Sequence, residues 1–188
     1  MKKTWIIVGV IAAVVIAGIA WYINGLNTVV RLDVSADEAW AQIDTQLKRR
    51  TDLIPNLVNV VKGYAKHEKS VFENVAASRA RLAGASTVSE KIDAAKSFDN
   101  AIARLLMVAE NYPALKANES FAKLMDELAG TENRIAVARY RYNREVKAFN
   151  TYIREVFGSF FARKKGLTET KPYFEIEEKE KATPRVEF

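Results

Sequence analysis

An uncharged apolar run near the N-terminus most constrains how this chain of 188 residues can fold. Residues 5–23 contain no charged side chain, and two lysines precede them. A helix over this run is about 28 Å long, close to the thickness of the hydrocarbon core of a bilayer. Trp5 opens the run, and Trp21 and Tyr22 nearly close it, where aromatic rings favour the headgroup region. We therefore predict a membrane-spanning helix over residues 5–23.

A cleavable signal peptide is the alternative to a retained anchor. Gly18-Ile19-Ala20 offers a small-x-small cleavage sequence after Ala20. The apolar run nevertheless continues through Ile23, and large aromatic residues would follow the cut. We favour the retained anchor. The chain has no cysteine, so lipid attachment through an N-terminal cysteine is excluded.

Small residues form a ridge on one face of the predicted span. Gly9, Ala13 and Ala17 are spaced by four, and such a ridge allows two membrane helices to approach closely. A homo-oligomer joined through this ridge is therefore one interpretation. The ordinary richness of membrane helices in glycine and alanine is the simpler one, and we favour it.

The charges that flank the apolar run predict its orientation. The lysines lie on the N-terminal flank, whereas Arg31 on the other flank is soon followed by Asp33 and Asp37. The positive-inside rule then leaves residues 1–4 in the cytoplasm and exports the rest of the chain. The absence of cysteine agrees with an exported domain without requiring one.

The charge balance of the remaining chain argues against nucleic acid as a partner. The first 23 residues take away two of the 29 basic residues and none of the 23 acidic ones, which leaves a net charge of +4. Both signs are interleaved, whereas a nucleic-acid binder would show a basic stripe with aromatic residues. About 165 residues suit a single core.

Apolar periodicity predicts two long helices. The clearer pattern, near the C-terminal end, repeats every seventh residue and is typical of a coiled-coil-like seam. A second stripe near residues 40–64 has Arg50 in a position that an apolar residue would normally fill, and Pro55 in its interior. We predict a helix over residues 37–67 with a kink or break near residues 51–55. The seam consists of Phe121, Leu128, Ile135, Tyr142, Phe149 and Val156.

Two shorter helices are predicted over residues 70–83 and 89–112, ended by Gly84 and Pro113. Four amphipathic helices joined by short links predict an all-α fold, an antiparallel four-helix bundle. We assign the bundle to residues 37–165, after a juxtamembrane segment at 24–36. The C-terminal tail, residues 166–188, contains prolines and an acid-rich stretch and is predicted to be extended or disordered.

Five stretches of the chain closely resemble one known family. They are residues 39–58 (AWAQIDTQLKRRTDLIPNLV), 112–118 (YPALKAN), 131–136 (TENRIA), 171–175 (KPYFE) and 186–188 (VEF). The chain is similar over nearly its whole length to the LemA family of membrane-anchored bacterial proteins. The resemblance implies one N-terminal membrane helix and a helical-bundle domain. It implies little about activity, because the family has no established reaction or catalytic residues.

Most catalytic chemistry is missing from the sequence. There is one histidine, His67, and no cysteine, which excludes di-iron bundles and zinc sites built on several such ligands. No phosphate loop or nucleophile elbow occurs. We predict no cofactor, no metal and no catalytic residue, and we expect His67 to end a helix near its negative pole. A purely carboxylate site stays open.

Three groups of residues could carry contacts. In the polar motif near residue 50, we expect Arg50 to pair with Glu132 or Glu145 and Asp52 to cap a helix that restarts near Pro55. A partner-docking surface is the alternative. The motif comprises Gln42, Asp44, Arg49, Arg50, Asp52, Pro55 and Asn56.

The other two groups lie nearer the C-terminus. Tyr140 and Arg144 are one helical turn apart, and both residue types are common in interface hot spots, although a solvated face is the simpler interpretation. Val186 and Phe188 could seat as a strand in a PDZ domain, such as that of an envelope protease. The alternative is a tail that packs on its own bundle or stays loose.

Together these features predict a single-pass protein of the bacterial cell membrane. We expect a non-enzymatic scaffold or adaptor that contacts the lipid bilayer and a membrane or envelope protein. The alternative is a ligand-sensing or carboxylate-based hydrolytic domain in a cleft of the helical bundle.

Overall fold

The computed structural model describes residues 2–175, and nearly all of these are helical. No strand occurs within that range, which confirms the all-α class. The antiparallel four-helix arrangement stays a prediction. The helices are α1 (Lys2–Tyr64), α2 (Lys69–Gly84), α3 (Val88–Glu110), α4 (Pro113–Lys116), α5 (Glu119–Tyr152) and α6 (Val156–Lys165).

Packing divides the described residues into two compact units. The first unit comprises residues 2–39 and 142–173, and the second comprises residues 40–141 and 174–175. The helices α1 and α5 each supply residues to both units.

The helix α1 is continuous through the predicted juxtamembrane segment at residues 24–36 and through residues 51–55, where we predicted a kink or break. The break is wrong even though Pro55 lies inside the helix. Proline lacks the N–H that would bond to the carbonyl four residues earlier, that of Thr51. Arg79 Nε of α2 donates to this carbonyl oxygen at 3.2 Å instead. The orphaned acceptor is thus satisfied, and Asp52 has no helix start to cap.

Burial of the predicted seam is confirmed at five of its six positions, whereas its coiled-coil character stays a prediction. Its first five residues, Phe121 to Phe149, are all buried. Val156 is the error, because α5 ends at Tyr152 and Val156 opens the separate helix α6 with 82% of its surface exposed. Gly158 permits the close turn there, since a Cβ at this position would fall on the Tyr152 carbonyl oxygen.

The two shorter helices agree with prediction to within two residues at each end. The helix α3 begins with a capping box, in which Thr87 Oγ1 accepts from the Glu90 N–H and Glu90 accepts from the Thr87 N–H. Pro113 opens the short helix α4 in addition to following α3. His67 lies in an exposed turn beyond the end of α1 rather than at the helix end itself.

The chain leaves helical structure after Gly166, whose φ of 71° allows the left-handed cap of α6. Residues 167–175 are not helical and are held by hydrogen bonds, so of the two predicted alternatives, extended or disordered, disorder does not describe this part of the tail. In the first unit, Asn150 and Lys171 exchange two hydrogen bonds of 2.9 Å, and the Tyr142 hydroxyl donates to the Pro172 carbonyl oxygen at 2.8 Å.

In the second unit, Phe174 is 1% exposed. Its ring centroid lies 6.3 Å from the ring centroid of Trp40, and Arg139 Cζ lies 4.3 Å from the Phe174 centroid.

We expect Phe174→Ala to lower the free energy of unfolding by ~3–5 kcal/mol, because a buried aromatic side chain is lost and a cavity remains. Denaturant unfolding followed by circular dichroism measures this. The neighbouring Tyr173 is exposed, so Tyr173→Ala should change stability by less than ~0.5 kcal/mol. Equal losses in both variants would contradict the anchoring of the tail through Phe174.

The capping box sets a pH dependence at the start of α3. Hydrogen bonds from the backbone of Thr87 and Ser86 lower the pKa of Glu90 to about 2. A depressed pKa means that this contribution to stability is present above the unfolded pKa, ~4.3, and is lost as the pH falls toward 2. A carboxyl-carbon NMR titration should show a midpoint near pH 2 for Glu90. Ser86→Ala, which removes one donor, should raise it part of the way. A midpoint near 4.5 in the unmodified protein would overturn the assignment.

Candidate functional site

A cluster of four charged side chains lies at the centre of the polar motif. Arg50, 7% exposed, projects from the apolar face of α1. Its Nη1 lies 2.8 Å from Asp99 Oδ1 of α3 and also hydrogen-bonds Glu132 Oε2 of α5. Arg139 Nη2 donates to Asp99 Oδ2 at 3.3 Å. We call these residues, Arg50, Asp99, Glu132 and Arg139, the charge cluster.

The charge cluster is neutral overall, with two guanidinium groups facing two carboxylates. Burial raises the pKa of Asp99, the charges of Arg50 and Arg139 act in the opposite direction, and the nearby Glu132 adds to the rise. The cost of removing these charges from water offsets much of their mutual attraction, so the cluster adds little net stability. It instead fixes how α1, α3 and α5 meet, because any other arrangement would separate the charges from their partners.

The cluster offers little for catalysis. Both carboxylates are engaged by guanidinium groups, so neither resembles a free base beside a nucleophile. Within residues 2–175, no group of three or more His, Cys, Asp or Glu side chains could hold a metal ion. The arrangement is typical of a structural network.

Sequence reasoning found only part of the cluster. Arg50 pairs with Glu132, one of the two acids proposed for it, whereas Glu145 pairs with its neighbour Arg144. Asp99 and Arg139 were missed. A signal for Arg139 was present, since it follows Glu132 by seven residues on one face of α5.

Other residues of the motif line a groove among α1, α2 and α3, which we call the polar groove. Its volume is about 460 Å³, and both Asp44 and Asp52 face it. Lys91 Nζ contacts Asp44 Oδ1 at 2.6 Å at one wall. Apolar side chains, including Leu47 and Leu82, complete the lining. A surface that combines both charge signs with apolar area is suited to binding a peptide or a small polar molecule.

The seven residues of the predicted motif do not form one surface. Gln42 lines a different groove, with Val137 and Arg141 of α5. Arg49 and Asn56 are exposed, and Pro55 is half-buried; Arg50 belongs to the charge cluster. The docking role of the motif stays a prediction.

The remaining predicted contact residues have separate environments. Tyr140 is 70% exposed. The Arg144 guanidinium lies 2.8 Å from Glu145 Oε1. Val186 and Phe188 lie outside the described residues. The PDZ hypothesis therefore stays a prediction.

Every residue of the predicted anchor is exposed. Within residues 2–175, α1 is the one helix that is long and apolar enough to cross a membrane, judged by length and composition, and none of its apolar window is buried. The exposed anchor residues are Trp5, Gly9, Ala13, Ala17, Trp21 and Tyr22.

In the first unit, Lys171 of the tail forms ion pairs with α1, a role that the sequence did not predict. Lys171 Nζ lies 2.9 Å from Asp33 Oδ1 and 2.5 Å from Asp37 Oδ1. Burial alone would lower the pKa of Lys171, but hydrogen bonds to the two carboxylates and their charges raise it overall. Burial and the charge of Asp37 also raise the pKa of Tyr142 to about 12.

Comparison with known proteins assigns the family. The model of the LemA family matches residues 39–188. The chain belongs to the LemA family. It is similar to the magnetosome proteins MamQ 2 and MamQ 1 of Paramagnetospirillum magneticum, each 25% identical over 165 residues, with 74% of this chain and 61% of the relative covered. MamQ of Magnetospirillum gryphiswaldense is 23% identical over 153 residues, with coverages of 68% and 56%. The chain thus spans less than two thirds of the length of these relatives.

The charge cluster predicts the effect of removing its central cation. Arg50→Ala should lower the free energy of unfolding by ~1–3 kcal/mol, because it removes the cationic partner of Glu132 and leaves Asp99, which is partly buried, with Arg139 alone. Arg50→Glu should cost more, since it places a third carboxylate beside Asp99 and Glu132. Denaturant unfolding of the detergent-solubilised chain measures both. The exposed neighbour supplies the control, because Arg49→Ala should change stability by less than ~0.5 kcal/mol. A normal melting temperature for Arg50→Glu would contradict the structural role.

Proposed function

We propose that this LemA-family protein is a non-enzymatic adaptor, anchored in the bacterial cell membrane, that acts through protein–protein contacts. One observation carries the proposal. Residues 5–23 form an uninterrupted helical stretch in which every side chain is exposed, whereas the later helices bury much of their apolar surface. A contiguous apolar surface of that length is unstable in water and matches the hydrocarbon core of a bilayer.

The flanking charges support a single pass with a cytoplasmic N-terminus and an extracytoplasmic domain. The contacts of Arg50 with α3 and α5, and of Arg79 with α1, support an antiparallel four-helix bundle with coiled-coil-like packing as the arrangement of that domain.

The engaged carboxylates of the charge cluster support a non-enzymatic role. The name of the curated relatives, magnetosome protein, states no reaction and is compatible with this. We therefore look for the function at the surface, where the polar groove combines charged and apolar side chains.

We expect the polar groove to receive a charged segment of a membrane or envelope protein. Asp52 and Lys48 on α1 and Arg79 on α2 supply both signs at its walls. The anchor keeps the groove near membrane partners at a high effective concentration, so a weak contact can suffice. A homo-oligomer and a PDZ-containing protease bound through Val186 and Phe188 are further proposed partners.

The volume of the groove also supports a second candidate. At about 460 Å³ it falls within the range of small-molecule sites, so a ligand-sensing domain could use it. A small polar ligand that protects the groove from heat denaturation, with no protein partner, would favour this function over the adaptor.

Photocrosslinking in intact cells tests the adaptor. A benzoylphenylalanine at Lys48 reports on the groove, and the same probe at Lys123, an exposed lysine of α5 that does not line it, is the matched control. We expect an adduct with one membrane or envelope protein from position 48 alone. Reversing a charge of the groove with Asp52→Lys should reduce its yield several-fold.

Three outcomes would overturn or redirect this function. Equal adducts from positions 48 and 123 would contradict a contact specific to the groove. Adducts with other copies of the chain alone would indicate a homo-oligomeric scaffold and direct attention to Gly9, Ala13 and Ala17. Recovery of the protein in the soluble fraction would contradict the anchor itself.

A further inference from the structure

The helix α6 has an apolar face that the rest of the first unit does not cover. Val156 is 82% exposed, Phe157 65% and Phe160 39%. The opposite face is buried, because Phe161 and Ala162 join a core cluster with Val29, Phe149 and Ile153. This ten-residue helix thus packs on the first unit through one face and leaves large apolar side chains exposed on another face.

The contacts of α6 lie at the C-terminal end of the apolar run of α1. The ring of Phe157 is 5.5 Å from that of Trp21, and the ring of Phe161 is 5.1 Å from Trp21 and 5.9 Å from Tyr22. Gly25 makes this approach feasible, since a Cβ there would fall on the Phe161 ring. Two elements far apart in sequence are therefore packed at one level of α1.

The predicted anchor fixes the position of Trp21 and Tyr22 relative to a bilayer. Trp21 lies about 24 Å along α1 from Trp5, which puts the two indoles near opposite boundaries of a bilayer core. Tryptophan and tyrosine favour this boundary because one part of the ring is apolar and the other polar. Side chains in edge-to-face contact with Trp21 and Tyr22 lie at the same level of α1, so a bilayer boundary at this level would place the exposed face of α6 against lipid.

Charge completes the pattern. The last turn of α6 consists of Arg163, Lys164 and Lys165, all exposed, and α6 itself contains no acid. Lys164 is about 10 Å farther along α6 than Phe157. Basic side chains of that reach extend to headgroups while their stems stay near apolar surface. Cations at a helix C-terminus also favour the helix dipole, but the dipole does not account for three exposed apolar side chains on the same helix.

We propose that α6 is a second membrane-contacting element, whose face of Val156, Phe157 and Phe160 lies in the bilayer interface. Arg163, Lys164 and Lys165 bind the anionic headgroups of phospholipids there. The proposal rests on the anchoring of α1 proposed above. An apolar face joined to a basic end is the composition of helices that lie in a membrane surface.

The absence of native cysteine makes a direct test practical. Single cysteines are introduced at Phe157, Val34 and Ile11 in the full chain, labelled with a fluorophore, and reconstituted in nanodiscs with lipid-bound and water-soluble quenchers. Val34 is the matched control, since it is 55% exposed, apolar, and about 20 Å beyond Trp21 along α1. Ile11 reports on the span.

We expect lipid-bound quenchers near the headgroups to quench position 157 strongly and position 34 weakly. Position 11 should respond to quenchers deep in the bilayer. Position 157 should be quenched several-fold less by lipid when Arg163, Lys164 and Lys165 are replaced by glutamine, or when the nanodisc contains only zwitterionic lipid.

The remaining outcomes separate this inference from the anchor. Deep quenching at 11 with aqueous quenching at 157 would overturn the role of α6 and keep the anchor. Aqueous quenching at 11 would overturn both. Protection of 157 from lipid and water alike, with excimer formation by pyrene labels, would show that a second copy covers the face. Quenching of 157 that ignores lipid charge would overturn headgroup binding by the basic turn.

Discussion

The helical core of the second unit depends on how the charge of Arg50 is accommodated away from water. An isolated guanidinium there would be costly, and Asp99 and Glu132 make it tolerable by approaching from α3 and α5. Asp99 is in turn shared with Arg139, which stacks on Phe174. Each member needs the others because either sign alone would be uncompensated. The network therefore selects one register of three helices, a specificity that an apolar cluster would supply less sharply.

The long helix α1 shows a similar dependence on a distant residue. Local rules favour a break before Pro55, because proline removes one hydrogen bond and disfavours helical geometry in the residue before it. The helix continues because Ile54 and Leu57 are buried and Arg79 satisfies the abandoned Thr51 carbonyl. The donor comes from α2, 28 residues away in sequence, and no pattern around Pro55 reveals it. Tertiary contacts thus reverse a local preference.

Sequence periodicity predicted the helices and most of the buried seam, because burial of a stripe leaves a repeat that can be counted. It failed at Val156, where the repeat continues in sequence while the backbone turns at residues 153–155, between α5 and α6. The pairing of Arg50 with Glu132 could be proposed, since both flank apolar stripes, but Asp99 and Lys171 could not. Their roles depend on which surfaces meet in space. The sequence also placed Gln42 and Asp44 in one motif, whereas they line different grooves.

The distribution of satisfied and unsatisfied groups indicates where function can lie. In the second unit the partly buried carboxylates of the charge cluster have cationic partners, so the network orders the helices and presents no free acid or base there. In the first unit the exposed surface is apolar: within residues 2–175, residues 5–20 and one face of α6 are largely uncovered, and Trp21 and Tyr22 are only partly covered by aromatic rings of α6. Apolar surface of this extent needs a non-aqueous environment. Since Trp21 and Phe157 are in edge-to-face contact, a single bilayer boundary can satisfy both elements at once. A short helix fixed at that boundary would restrain tilt of the span, because apolar and basic groups on α6 prefer different depths.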